Sequence, residues 1–157
     1  MEIIDKYFWI VLILVMCVNA LFWWIKSKKY VTENPDLKSS YQKLIKGFLL
    51  YGNIPWLIMG LLTLTGIIQG TFEILEPRNV NIGVIIWHLS VIGILTLGTN
   101  WIFFKNGAEI LKKHPGLFQS TFNRDGKVSS GMIKFIWIVG LVGAVAGEIM
   151  MWTMNFN

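Results

Sequence analysis

The chain has 157 residues, of which 54% are hydrophobic and 15% charged. A soluble domain carries about a quarter of its residues as charges, so fourteen bases and nine acids are too few to coat one, and the apolar content excludes disorder. The formal charge of +5 would point to nucleic acid in a soluble protein, and its meaning here depends on where the lysines lie.

The first uncharged run is Tyr7 to Ile25, 19 residues between Lys6 and Lys26. Runs of 26 residues follow between Lys46 and Glu73 and between Arg78 and Lys105, and the 23 residues after Lys134 carry one charge, Glu148. About 20 apolar residues at ~1.5 Å rise cross a hydrocarbon core of ~30 Å. The chain therefore reads as an all-α polytopic membrane protein, a four-transmembrane-helix bundle with spans at 5–26, 45–70, 82–105 and 132–154 in a single membrane domain. Helices buried in a soluble bundle would need polar faces at a 3.6 period, and these runs are apolar all round. The first span is expected to be retained, because its leader holds Glu2 and Asp5 against Lys6 and its apolar stretch exceeds a signal-peptide core.

The loops orient the spans. Those at 27–44 and 106–131, with their flanking residues, carry Lys26, Lys28, Lys29, Lys38, Lys43, Lys46, Lys105, Lys112, Lys113, Arg124, Lys127 and Lys134, whereas the opposite side has Lys6 and Arg78. Twelve against two predicts cytoplasmic basic loops and both termini outside, in a bacterial-type inner membrane. Trp9, Trp87 and Trp152 mark one interface and Trp23, Trp24 and Trp101 the other, as an aromatic belt requires.

Spans 1 and 3 end alike, in Phe22-Trp23-Trp24-Ile25-Lys26 and Trp101-Ile102-Phe103-Phe104-Lys105, each followed by a loop proline at Pro35 or Pro115. A duplicated two-helix hairpin would produce this pattern, and so would convergence on generic interface chemistry. The loops are expected to be ordered only in part. Asn34-Pro35-Asp36 and Asn123-Arg124-Asp125-Gly126 read as turns, and span 3 is expected to continue as helix through Ala108–Lys113, stopped by Pro115-Gly116.

Polar residues inside the spans are the functional candidates, because they are costly in hydrocarbon. Glu148 is the one acid deep in a span, and His88 the one histidine within a span. Each lies about six residues from the outer end of its antiparallel helix, so the two reach similar depth and a His88–Glu148 hydrogen bond is open to them, although depth alone does not decide whether they touch. Such a bond would serve either as a proton or cation site facing an outward cavity or as a structural bond between helices, and Glu148 rising towards the headgroups accounts for its placement as well. In span 4, Gly140, Gly143, Ala144 and Gly147 fall within roughly 100° of arc, a small-residue face suited to close packing inside one bundle or between protomers. Asn19, Asn53 and Asn100 form a second candidate polar layer, with Pro55 placed to kink span 2 and Asn53 two residues before it. His88, Thr96 and Thr99 share a stripe that could wet one face, although threonines bonded to their own helix explain it equally well.

Several chemistries are set aside. The one cysteine, Cys17, gives no CxxC motif, and His88 and His114 fall at opposite faces, so no pair of haem ligands, cofactor or metal site is expected. No P-loop, catalytic triad or nucleic-acid motif occurs. Three functions are left. The first is a membrane-embedded assembly module or complex subunit, a homo-oligomer or one that docks a cytosolic partner through 27–43 and 106–130. The second is a small proton or cation channel or transporter using His88, Glu148 and the asparagines. The third, without a catalytic constellation in its favour, is a lipid-modifying enzyme.

Overall fold

Apolar backbone that meets no water must satisfy its amides internally, and long uncharged segments do so as helices. In the computed structural model, which describes residues 2–75, 77, 81–117 and 128–153, no strand occurs among the described residues. The helices are α1 (Glu2–Glu33), α2 (Lys38–Leu64), the short α3 (Thr71–Leu75), α4 (Ile82–Phe104), the short α5 (Gly107–Lys112) and α6 (Ser130–Thr153). A 3-10 turn, Pro35–Leu37, joins α1 to α2. Among the described residues four helices, α1, α2, α4 and α6, are long and apolar enough to cross a membrane.

Their ends depart from the expected spans for local reasons. Residues 27–44, expected as a partly ordered loop, are almost wholly helical: α1 runs on to Glu33 and α2 begins at Lys38. Span 2, expected to reach residue 70, stops at Leu64. There Gly66 adopts φ +75°, the Gly66 amide donates to the Thr63 carbonyl (3.2 Å) and the Ile67 amide to the Leu62 carbonyl (3.0 Å). This is the Schellman arrangement, in which a left-handed glycine lets the chain turn back onto the last carbonyls. Span 3 does not continue into α5 either. Asn106 sits at φ 57° and breaks the helix between Phe104 and Gly107, a left-handed position that asparagine tolerates better than most residues. The Asn123–Gly126 turn lies outside the described residues.

Packing runs in the order α1, α2, α4, α6, with α5 seated on α6 and α3 across α1 and α4. Two apolar clusters hold the two ends. At the α3 end, Met59, Leu62, Ile68, Ile74, Val84 and Trp87 are buried with Trp9 and Trp56 against them. At the α5 end, Tyr41, Ile45, Ile102, Leu111, Leu117 and Ile133 pack with Trp23, Trp101 and Trp137. The mid-helix surfaces between them expose large apolar residues such as Leu14, Val18, Leu57, Leu97 and Val142. In α6, Ile133 alone among the described residues is fully buried.

Candidate functional site

The candidate site lies where α4 and α6 meet near the α3 end. His88 Nδ1 is 2.6 Å from Glu148 Oε2, and His88 Nε2 is 3.3 Å from the Ile74 carbonyl of α3. A carbonyl can only accept, so Nε2 carries a proton. The contact at Nδ1 then has two arrangements: a neutral carboxyl donating to the ring, or a ring cation donating to a carboxylate. Both leave the pair with no net charge. That is the form a low-dielectric site tolerates, since an unpaired charge there is heavily penalised. The ring is 4% exposed, with Trp87 edge-on at 5.0 Å and Trp152 at 5.2 Å.

The α3 end is tied by polar groups around this pair. Asp5 Oδ1 accepts from the Phe72 amide (2.9 Å), and the Thr71 hydroxyl donates to the Asp5 carbonyl (3.1 Å). Asn81 caps α4 by accepting from the Val84 amide (2.9 Å), and its side-chain amide donates to Glu73. Ile74 is thereby fixed relative to α1 and α4, which is what aims its carbonyl at His88.

Glu148 also faces a groove. Between α4 and α6 a cleft of about 530 Å³ is lined mostly by apolar side chains, with Glu148 towards one end and Thr96, Thr99 and Asn100 further along. Both threonine hydroxyls donate within their own helix, Thr96 to Ile92 (2.8 Å) and Thr99 to Leu95 (2.7 Å), and the Trp137 indole donates to Thr99 (3.0 Å). The threonine stripe is thus largely spent on its own helix.

The other candidates are not gathered together. Asn19 and Asn100 are exposed and Asn53 is buried, with no hydrogen bond joining them among the described residues. The Asn53 amide donates to the Leu49 carbonyl (2.7 Å) rather than to the Tyr51 carbonyl that Pro55 leaves unpartnered, and its oxygen is buried without a partner. Helix α2 runs unbroken through Pro55. Among the described residues nothing packs on the glycines of the small-residue face of α6: a β-carbon at Gly140, Gly143 or Gly147 would meet nothing within 4 Å.

One constellation escapes sequence reasoning. His114 Nδ1 donates to the Ile110 carbonyl (2.6 Å), and its Nε2 lies 2.5 Å from Ser40 Oγ, which also faces the Leu37 carbonyl at 2.9 Å. Tyr41 donates to the Pro115 carbonyl (2.8 Å) beside it. These bonds staple α2 to the segment after α5 across 74 positions of sequence. No periodicity marks such a contact. Among the described residues no acid hydrogen-bonds His114, and no three His, Cys, Asp or Glu side chains gather to hold a metal. Nearby, Glu109 is held below the ordinary carboxylate range, chiefly by a hydrogen bond from Ser130 at the start of α6 and, against an opposing desolvation, by Lys112 and Lys134.

Compared with known proteins, the chain matches no family model, no curated protein and no solved structure.

Proposed function

We propose that the chain is an integral protein of a bacterial-type inner membrane, with both termini outside, and that it works as an assembly module. In this reading it oligomerises through α6 and offers its lysine-rich end to a cytosolic partner. The observation that carries the reading is the open glycine face of α6, where Gly140, Gly143 and Gly147 have clear space in front of them. Within a membrane, helices associate by backbone approach over small residues rather than by burial from water. A helix of 24 residues whose glycine face no described part of the chain fills is suited to a second copy.

Native mass spectrometry of detergent-extracted protein tests this. The wild type should run as an oligomer, and Gly143→Ile, which places a branched side chain where there is room for it, should keep its helicity but run as a monomer. A wild type that stays monomeric at every concentration would sink the reading.

A second reading is favoured by the placement of Glu148, which bonds His88 and lines the groove between α4 and α6. It makes the protein a small proton or cation conductor. Proteoliposomes should then show flux that Glu148→Gln abolishes; wild-type vesicles that conduct no better than empty ones rule it out.

A further inference from the structure

At the lysine-rich end, a cleft of about 210 Å³ lies between the end of α1 and the start of α2. Lys28 and Lys38 both line it, brought together by the Pro35–Leu37 turn, and no carboxylate does. Neither lysine makes an ion pair with an acid among the described residues. Two lysines lining one cleft give it a positive potential, which an anion bound there lowers.

The Ser27 hydroxyl donates to the Trp24 carbonyl (2.8 Å) and the Tyr41 hydroxyl to the Pro115 carbonyl, so both are spent. The side-chain donors left to the cleft are Lys28, Lys38 and the Gln42 amide, three groups suited to the several acceptor oxygens of a phosphate. The remaining wall is apolar: the Trp24 ring, with Lys28 Nζ 3.9 Å from its centre, and the side chains of Val31 and Ile45. A cation-lined pocket with an apolar flank, one helical turn beyond a belt tryptophan, matches an amphiphile held by its headgroup.

We infer that this cleft is a binding site for the phosphate group of an anionic phospholipid, seated between Lys28 and Lys38 with its glycerol portion against Trp24. The inference rests, as the assembly reading does, on the insertion of the four helices, and it uses part of the lysine-rich end that reading offers to a partner; it does not depend on the α6 contact and holds for a monomer as well as for an oligomer.

The test is native mass spectrometry of the full-length protein in neutral detergent, offered phosphatidylglycerol and phosphatidylcholine in equal amounts. Wild type should retain phosphatidylglycerol preferentially. Each lysine near an anionic surface is worth about 1 kcal/mol, or roughly fivefold, so Lys28→Gln with Lys38→Gln should weaken retention about 25-fold. The pair Lys112→Gln with Lys113→Gln, an equal change of charge elsewhere on the same end, should leave it intact. Equal retention of the two lipids by wild type, or equal loss in both double variants, would overturn the site. A further arm adds inorganic phosphate alone. Competition seen in wild type and lost with Lys28 and Lys38 keeps the phosphate site and assigns it a soluble occupant as well. No competition, with phosphatidylglycerol still bound, assigns it to lipid. Competition that is the same with and without the two lysines reports only screening and counts against the site.

Discussion

Replacing Glu148 separates what its oxygen does from what its charge does. Glutamine can donate its amide to His88 Nδ1 while the ring keeps its Nε2 proton on the Ile74 carbonyl, so Glu148→Gln preserves a neutral hydrogen bond at the site. Leucine cannot, and it leaves a ring nitrogen of a buried histidine unsatisfied, at a cost of about 1–3 kcal/mol. Unfolding in a denaturing detergent should therefore place Glu148→Gln within about 1 kcal/mol of wild type and Glu148→Leu clearly below it. Equal destabilisation by both would mean that the pair is held as ions. At this scale the sequence was informative about half of the site. His88 and Glu148 stand out because ionisable groups are rare in spans, and antiparallel helices bring them to one depth. The Ile74 carbonyl could not be foreseen, because a backbone acceptor on a five-residue helix leaves no trace in composition. That the three asparagines are not hydrogen-bonded to one another has a related reason: amides at similar depth do not meet unless their helix faces converge, and periodicity does not report how each helix is rotated.

Between elements, glycines record where helices touch. A β-carbon at Gly60 would come within 2.7 Å of the Trp9 ring, where α1 lies on α2, and one at Gly98 within 2.5 Å of Trp137, where α6 lies on α4. Overpacking of this kind costs about 1–3 kcal/mol. Gly47, with nothing within 4 Å, should instead gain about 0.5–1 kcal/mol as alanine through helix propensity. Thermal or detergent unfolding of the three alanine variants should rank Gly47→Ala above wild type and Gly60→Ala and Gly98→Ala below it. The tie between α5 and α6 carries its own pH dependence. The Glu109 carboxyl lies below its ordinary range in the folded chain because its charged form accepts from Ser130. A depressed carboxyl contributes stability above its unfolded value and loses it as pH falls through the folded one. Hydrogen exchange of the α5 amides should therefore differ between wild type and Glu109→Gln at neutral pH and converge in acid. The glycine at the end of α2 shows why an element end is hard to place from hydropathy. Gly66 carries the signature of a helix stop, but in a run of 26 uncharged residues hydropathy outweighs it, and the span is drawn six residues too long.

Across the whole molecule, burial is concentrated at the two ends and the middle is left bare. The clusters around Trp87 and around Tyr41 are separated along the helices, and leucines, valines and isoleucines face outward between them. In water such a surface would be untenable, whereas hydrocarbon solvates it without cost, which is why the same exposure agrees with four helices long enough to cross a membrane. The two hairpins are not equivalent despite their similar ends: α1 and α2 lie together along their length, while α4 and α6 leave a groove of about 530 Å³ between them. Duplication, if it shaped the sequence, has not kept the packing alike. The proposed orientation rests on charge rather than on packing, and it can be tested separately from either function. A reporter that is active only outside the cytoplasm, fused after Asn157, should be active, and the same reporter inserted at Pro35 should be silent, because twelve of the fourteen bases lie in or beside the two loops of one side. The reverse pattern would invert the orientation and put the phosphate-binding cleft on the outer surface. Exchanging Lys28, Lys29, Lys112 and Lys113 for glutamine should weaken the preference and yield mixed reporter activity, since the asymmetry falls from twelve against two to eight against two. Reporter activities unchanged by that exchange would show that something other than lysine placement fixes how the chain enters the membrane.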